Sequence, residues 1–302
     1  MSNCNLQGIL NALTFINHIQ GVIMYVEIWN IFKCLCNIGI LIIIITYLHM
    51  QNRNIEIEYF DIKLDNMMMN QRGLKIAHIS DVHLPNNSFN TEKLKAILKD
   101  ERPDIIVITG DLIYKHKKID EIELGRFCNS LSSISKTYAV TGNHETWSRS
   151  LEQWNKVLNS NKVIVLDNKI EIFSQNKCEL AIVGLREGCH YTEELFRGMG
   201  VESNIPKLLL SHRPEHFIEY YSSPTGIRPD LVLSGHAHGG QFRIPFFNKS
   251  VYSPEQGIFP KYSSGLYYSD NGVQMIVSRG LGNSVFPIRI NNRIHLPIIN
   301  LK

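Results

Sequence analysis

The chain has 302 residues, 44% of them apolar, and a formal net charge of only +3. That length allows one large core with a separate segment beside it. The near-neutral balance, with no run of five like charges, excludes a broad basic surface for nucleic acid. Cys34 and Cys36 lie in an apolar run, and Cys128, Cys178 and Cys189 follow at wide spacing. Neither a disulfide framework nor a Cys-x-x-Cys pair is present, so the thiols are expected to be reduced and partly buried.

Leu6 to Trp29 is fairly apolar but is interrupted by Asn11, Asn17, His18, Gln20 and Glu27. It suits an interfacial amphipathic helix or a first weak span. Cys34 to Met50 (CLCNIGILIIIITYLHM) carries no formal charge and lies between Lys33 and Arg53. As a helix it covers about 25 Å, the short end for a bilayer span. It predicts a single-pass transmembrane helix over about residues 34–50, within a membrane segment 1–53 that precedes a folded domain 54–302. A cleaved signal peptide fits worse, because the run starts late and no small-x-small site follows closely. Lys33 before the span and Arg53 and Lys63 after it give too small a bias to orient it.

Ile55, Ile57, Tyr59, Ile62 and Leu64 partly alternate with polar residues, as in an edge strand, and Met67 to Gln71 reads as a loop. Leu74 to Ser80 predicts a strand, Thr91 to Lys99 a helix with Thr91 as its N-cap, and Asp104 to Thr109 a buried strand. A helix over Ile119 to Ile134 and a strand over Thr137 to Thr141 follow. This alternation implies βαβ units with parallel neighbours. Val163 to Leu166, Ile170 to Phe173, Glu179 to Val183, Lys207 to Leu210 and Asp230 to Leu233 are short strand patterns. Leu266 to Ser269 and Val273 to Val277, around Asp270-Asn271-Gly272, predict a hairpin. The late strands imply a second sheet packed on the first.

Polar residues follow these strands directly: Asp81-Val82-His83, Gly110-Asp111, Gly142-Asn143-His144-Glu145, Ser211-His212 and Gly235-His236-Ala237-His238-Gly239-Gly240. In open α/β sheets ligands bind beyond the carboxyl ends of strands, so these segments can meet in one crevice. Asp81, His83, Asp111, Asn143, His212, His236 and His238 offer oxygen and imidazole donors without thiolate. That mixture suits manganese, iron or zinc, and a carboxylate can bridge two such ions. Each element alone has a bland reading: Gly-Asp as a turn, Asn143 or His212 as a helix cap, and one histidine of His236 and His238 turned to water. Their order after separate strands favours the shared site. His78, inside a strand pattern, is expected to be a packed core histidine. Glu145 could orient a ligand histidine or face solvent.

These blocks, in this order, resemble the calcineurin-like metallophosphoesterases. The Ser211-His212-Arg213-Pro214 run, the extension to Gln241 and Ser278-Arg279-Gly280-Leu281-Gly282 are similar to the membrane-anchored bacterial branch of UDP-diacylglucosamine pyrophosphatases and phosphodiesterases. The resemblance implies an α/β fold, a four-layer α-β-β-α sandwich of two mixed sheets flanked by helices. It implies two divalent ions, one on Asp81, His83, Asp111 and His238, the other on Asp111, Asn143, His212 and His236, with Asp111 bridging. His144 would be the catalytic residue acting on substrate. Arg213, Gln241 and Arg279 are candidates for substrate contacts, with a structural ion pair as the competing reading for the arginines. Tyr114 departs from the resemblance, which leads one to expect an acidic residue there. The expected activity is hydrolysis of a phosphodiester or pyrophosphate bond, of a lipid-linked substrate if the membrane segment sets the choice. A phosphomonoesterase, including one acting on phosphoprotein, is the alternative, and a scaffold of the same fold ranks below both.

Overall fold

The computed structural model describes residues 3–64, 73–85, 89–175, 178–192, 205–222, 227–247, 249–283 and 286–302. The Met67 to Gln71 segment lies outside them. The chain divides into two units, Met1–His49 and Met50–Lys302. The first is helical throughout its described part. Helix α1 (Asn3–Arg53) is continuous, ending with its last turn in the second unit. No break sets Leu6–Trp29 apart as a helix of its own. Taken over its whole length, α1 shows no single apolar stripe. Within it, Thr14–Arg53 is long and apolar enough to cross a membrane, and none of its most apolar window is buried against protein.

The second unit continues with β1 (Glu56–Ile62), β2 (Leu74–Ile79), α2 (Thr91–Glu101), β3 (Ile105–Thr109), α3 (Glu121–Ser132), β4 (Lys136–Val140), α4 (Asn143–Trp147) and α5 (Leu151–Ser160). Then come β5 (Val163–Val165), β6 (Lys169–Gln175), β7 (Cys178–Gly184), β8 (Lys207–Leu210), α6 (Phe217–Ser222) and β9 (Leu231–Ser234). The short strands β10 (Arg243–Ile244), β11 (Lys249–Ser250), β12 (Tyr252–Ser253) and β13 (Gly257–Ile258) precede β14 (Gly265–Tyr268), β15 (Gln274–Val277) and β16 (His295–Leu301).

Two mixed sheets form, in the orders β1-β16-β2-β3-β4-β5 and β14-β15-β9-β8-β7-β6. The expected βαβ units are present, with β2, β3, β4 and β5 parallel to their neighbours. The expected hairpin is β14–β15, and β1 lies at a sheet edge as its alternation suggests. Strand β16, between β1 and β2, has no counterpart in the strand patterns read from sequence. Pro297 interrupts its apolar run, and proline removes a ladder donor. Proline is tolerated there because the pairing with β2 covers only Ile298 to Leu301.

The facing surfaces of the sheets enclose one core, in which Ile76, Val107 and Val140 of the first sheet meet Ile182, Leu208 and Leu233 of the second. The outer face of the first sheet packs under α2, α3 and α5 through Leu94, Phe127 and Trp154. The outer face of the second carries Phe217 and Tyr220 of α6. This is the four-layer sandwich that the resemblance implied. At α2, Asn90 is the N-cap, its Oδ1 accepting from the Lys93 N–H at 3.0 Å. Thr91, expected there, is already the first helical residue. Cys128 and Cys178 are buried, Cys189 is half-buried and Cys34 and Cys36 are exposed, all as free thiols.

Candidate metal centre

Each polar block lies just beyond the carboxyl end of its strand: Asp81 and His83 after β2, Asp111 after β3, Asn143 after β4, His212 after β8, and His236 and His238 after β9. All of them are at least nine-tenths buried. The chain turns inward through left-handed backbone at Asp81, His83, Asp111, His236 and His238, whose φ values run from 47° to 65°. That region is uncommon for residues other than glycine and tends to mark functional sites. Two glycines allow the close approach. A Cβ on Gly142 would stand 2.3 Å from Asp111 Oδ1, and one on Gly110 would stand 2.6 Å from the Gly142 nitrogen.

The donor atoms converge in two groups. In the first, His83 Nε2 lies 3.2 Å from His238 Nε2 and 4.0 Å from Asp111 Oδ2, and His238 Nε2 lies 3.5 Å from Asp81 Oδ1. In the second, His212 Nε2 lies 3.4 Å from Asp111 Oδ2, 3.1 Å from Asn143 Oδ1 and 3.2 Å from His236 Nδ1. Asp111 Oδ2 therefore stands between the groups. Ligands bonded to one ion at about 2.0–2.2 Å sit at such mutual separations.

The donor set fits cations. The Nδ1–H of His212 donates to the Thr109 carbonyl at 2.7 Å, which turns Nε2 toward Asp111, Asn143 and His236. Burial lowers the pKa of His83 to about 3 and that of His238 well below the usual range, the latter aided by the adjacent His83. Both rings are thus neutral and keep a lone pair for an ion. Burial pushes Asp81 up to about 6. Asp111 is also buried, but the charge and hydrogen bond of His212 hold it well below the usual carboxylate range. Conversely, burial opposes charge on His212, and Asp111 outweighs it. Carboxylates this deeply enclosed call for cationic partners. Of each proposed ligand set, three members with their donor atoms close together could hold an ion: Asp81, His83 and His238, and Asp111, His212 and His236.

His144 begins its contact with the site from α4. Its backbone N–H donates to Asp111 Oδ1 at 2.8 Å. Its Nδ1 accepts from the Lys115 N–H at 3.2 Å, leaving Nε2 as the protonated nitrogen, 3.9 Å from Asp111 Oδ2. Burial lowers its pKa, which favours this neutral form. Tyr114 packs near the His83 and His144 rings, at centroid distances of 6.2 and 5.2 Å.

Glu145 takes neither place expected for it. It is fully buried, and its carboxylate accepts from the backbone N–H groups of Asp111, Gly142 and Ile113 at 2.8, 2.7 and 3.1 Å. It ties the β3 and β4 loops together. His78 is the packed histidine expected, with Nε2 2.8 Å from Thr109 Oγ1.

The candidate substrate residues are engaged with the chain itself. Arg213 Nε meets Glu187 at 2.5 Å, and its Nη1 pairs with Glu215 and Glu255. Gln241 Nε2 donates to the Phe286 and Ile288 carbonyls at 2.7 and 2.9 Å. Arg279 faces Glu56 at 3.1 Å and Glu58 at 3.6 Å. Sequence reading missed Glu215 and Glu255, each 3.8 Å from His236 Nε2. With His236 these two also could hold an ion, but Arg213 already pairs with both carboxylates. Glu215 lies two residues after Arg213. Glu255 sits in the β12–β13 turn, where no pattern marks it.

A family model described as calcineurin-like phosphoesterase matches residues 74–240. The chain is 27% identical over 276 residues to the uncharacterised metallophosphoesterase YkoQ of Bacillus subtilis, covering 87% of this chain and 97% of that protein. It is 26% identical to a zebrafish (Danio rerio) transmembrane protein with a metallophosphoesterase domain, covering 80% and 56%. It is 25% identical to the phosphodiesterase YaeI of Escherichia coli, covering 67% and 72%.

Proposed function

The chain belongs to the calcineurin-like phosphoesterase family, and from that premise we propose that it holds two divalent ions and hydrolyses a phosphodiester or pyrophosphate bond. The observation that carries this reading is the convergence of two donor groups on Asp111 Oδ2. Asp81, His83, Asp111 and His238 would hold one ion, and Asp111, Asn143, His212 and His236 the other. Bound divalent ions supply a water of lowered pKa and offset charge on the phosphoryl oxygens. Manganese, iron or zinc suits these donors.

His144 acts on the substrate through Nε2–H. Because the Lys115 N–H occupies Nδ1, the ring serves as a fixed hydrogen-bond donor to a phosphoryl oxygen as negative charge grows there. The same hydrogen bond, with burial, disfavours the doubly protonated ring that a general acid would need. Glu145 is a positioning residue that holds the Asp111 and Gly142 backbone.

Thr14–Arg53 is read as a single-pass membrane anchor. An anchored active site favours a lipid-linked substrate, in line with the resemblance to UDP-diacylglucosamine pyrophosphatases. The phosphodiesterase YaeI among the relatives favours a diester or pyrophosphate over a monoester.

The test is hydrolysis by the detergent-solubilised full chain, stripped of metal and reloaded with manganese, zinc or iron. Bis-para-nitrophenyl phosphate and para-nitrophenyl phosphate are offered side by side. The expected result is metal-dependent cleavage of the diester that falls about 10²–10³-fold in His144→Ala with metal content unchanged. Cleavage of the monoester alone would instead make it a phosphomonoesterase. Full activity of His144→Ala would remove that residue from the reaction.

A further inference from the structure

The second unit carries a group of arginines that the reaction does not use. Arg243, Arg279 and Arg293 line a cavity of about 370 Å³ together with Gln51, Glu56 and Glu58. Arg243 and Arg279 are 6% and 9% exposed. Arg279 Nε has no hydrogen-bond partner, and its Nη2 lies 3.1 Å from Glu56 without hydrogen-bond geometry. Glu58 is shared with His295 at 3.0 Å. Three guanidinium groups against two carboxylates leave one positive charge in excess. Arginine grips phosphate oxygens bidentately, so this cavity suits a phosphate group.

Its position in the chain indicates which phosphate. Gln51 lies in the last turn of α1, where the apolar stretch Thr14–Arg53 ends. Arg243 opens the β10–β11 hairpin, and three residues on stands Phe246, fully exposed, beside Phe247 at 74% exposure. The β12–β13 hairpin adds Ile258 and Phe259, also exposed. The two hairpins are joined, since the Phe259 N–H donates to the Val251 carbonyl at 3.0 Å and the Val251 N–H to that of Phe242 at 2.8 Å. Phe286 packs edge-on to Phe242 at 5.2 Å and is itself half exposed. Lys249 and Lys261 are exposed on this segment, and its one carboxylate, Glu255, is paired with Arg213. Exposed aromatic and aliphatic side chains with a basic rim are the chemistry of an anionic membrane interface.

We propose that the β10–β13 hairpins dock the second unit on an anionic phospholipid bilayer, with Phe246, Phe247, Ile258 and Phe259 entering the interface and the arginine cavity taking a lipid phosphate. The inference rests on reading Thr14–Arg53 as a membrane anchor and is independent of the reaction. It also links the bilayer to the metal centre, because the β12–β13 turn carries Glu255, 3.8 Å from His236 Nε2.

The test uses the full chain in phosphatidylglycerol vesicles containing phospholipid brominated on its acyl chains. A tryptophan is added by Phe246→Trp or, as a control, by Tyr268→Trp. Tyr268 is exposed and pairs through Gln274 with Leu231, at the end of the second sheet opposite the metal centre. The emission added at position 246, over that of the parent chain, is expected to be largely quenched, and that at position 268 much less. Equal quenching at both positions would overturn the docking. Arg293→Glu is expected to weaken the quenching at 246, and unchanged quenching would overturn the role of the arginine cavity. Flotation of the parent chain with the vesicles checks the anchor separately. A chain that does not float sinks both readings, whereas a floating chain with an unquenched position 246 sinks the docking alone.

Discussion

The candidate ligands are placed by backbone more than by side-chain choice. Asp81, His83, Asp111, His236 and His238 all adopt positive φ, which strand propensities do not foretell, and each such residue costs of order 1–3 kcal/mol to hold there. The compensation comes from neighbours such as Glu145, whose three backbone hydrogen bonds lock the β3 and β4 loops. It comes too from Gly142, whose missing side chain leaves room for Asp111 Oδ1. Gly142→Ala is therefore expected to displace Asp111 and lower bound metal about as severely as Asp111→Asn, measured as ions per chain by elemental analysis. Full metal occupancy in either variant would argue against a bridging Asp111. Residue identity in the Asp-x-His, Gly-Asp and Gly-Asn-His blocks was legible in the sequence because the chemistry resides in the side chains themselves. The tautomer of His144 and the role of Glu145 were not, because both depend on backbone N–H groups brought in from other loops.

The patterned elements emerged near their expected limits, since buried strands such as β3 and β8 carry continuous apolar runs whose reading needs no tertiary context. Boundaries were less legible. Asn90 and Thr91 are both polar residues before the same apolar spacing, and only the hydrogen bond to the Lys93 N–H separates them. Asn90→Ala is expected to lower unfolding stability by about 1 kcal/mol. Thr91→Ala should change it by less than about 0.5 kcal/mol. Denaturant unfolding of both variants checks the assignment, and the reverse order would refute it. Strand β16 escaped sequence reading for a related reason. Its proline argues against a strand locally, and the register that exempts Pro297 from the β2 ladder belongs to the assembled sheet.

At the scale of the whole molecule, the two sheets bury the Asp81 and Asp111 carboxylates together at the ends of their strands, where bound cations would offset their charge. Metal removal should thus reach beyond activity. Stripping the ions with a chelator is expected to lower stability by about 2.7 kcal/mol for each ion, relative to protein at an ion concentration of about 100 times Kd. A drop in melting temperature that manganese or zinc reverses would show it. An unchanged melting curve after verified metal loss would mean that the donor groups do not couple ion binding to folding. The same scale holds the tension over Arg213, Gln241 and Arg279. Their motifs suggested substrate, yet they bind Glu187, backbone carbonyls and the Glu56–Glu58 pair.

The sequence by itself determined the layered α/β architecture, the apolar N-terminal helix and the candidate donors, because each is written in local periodicity or in side chains with one evident chemistry. Only the tertiary structure decided which nitrogen of each histidine faces the centre, that Oδ2 is the Asp111 oxygen between the two groups, and that Arg243, Arg279 and Arg293 share one cavity beside Gln51. Those relations join residues far apart in the chain, so they arise from strand order and loop packing and have no trace in local pattern.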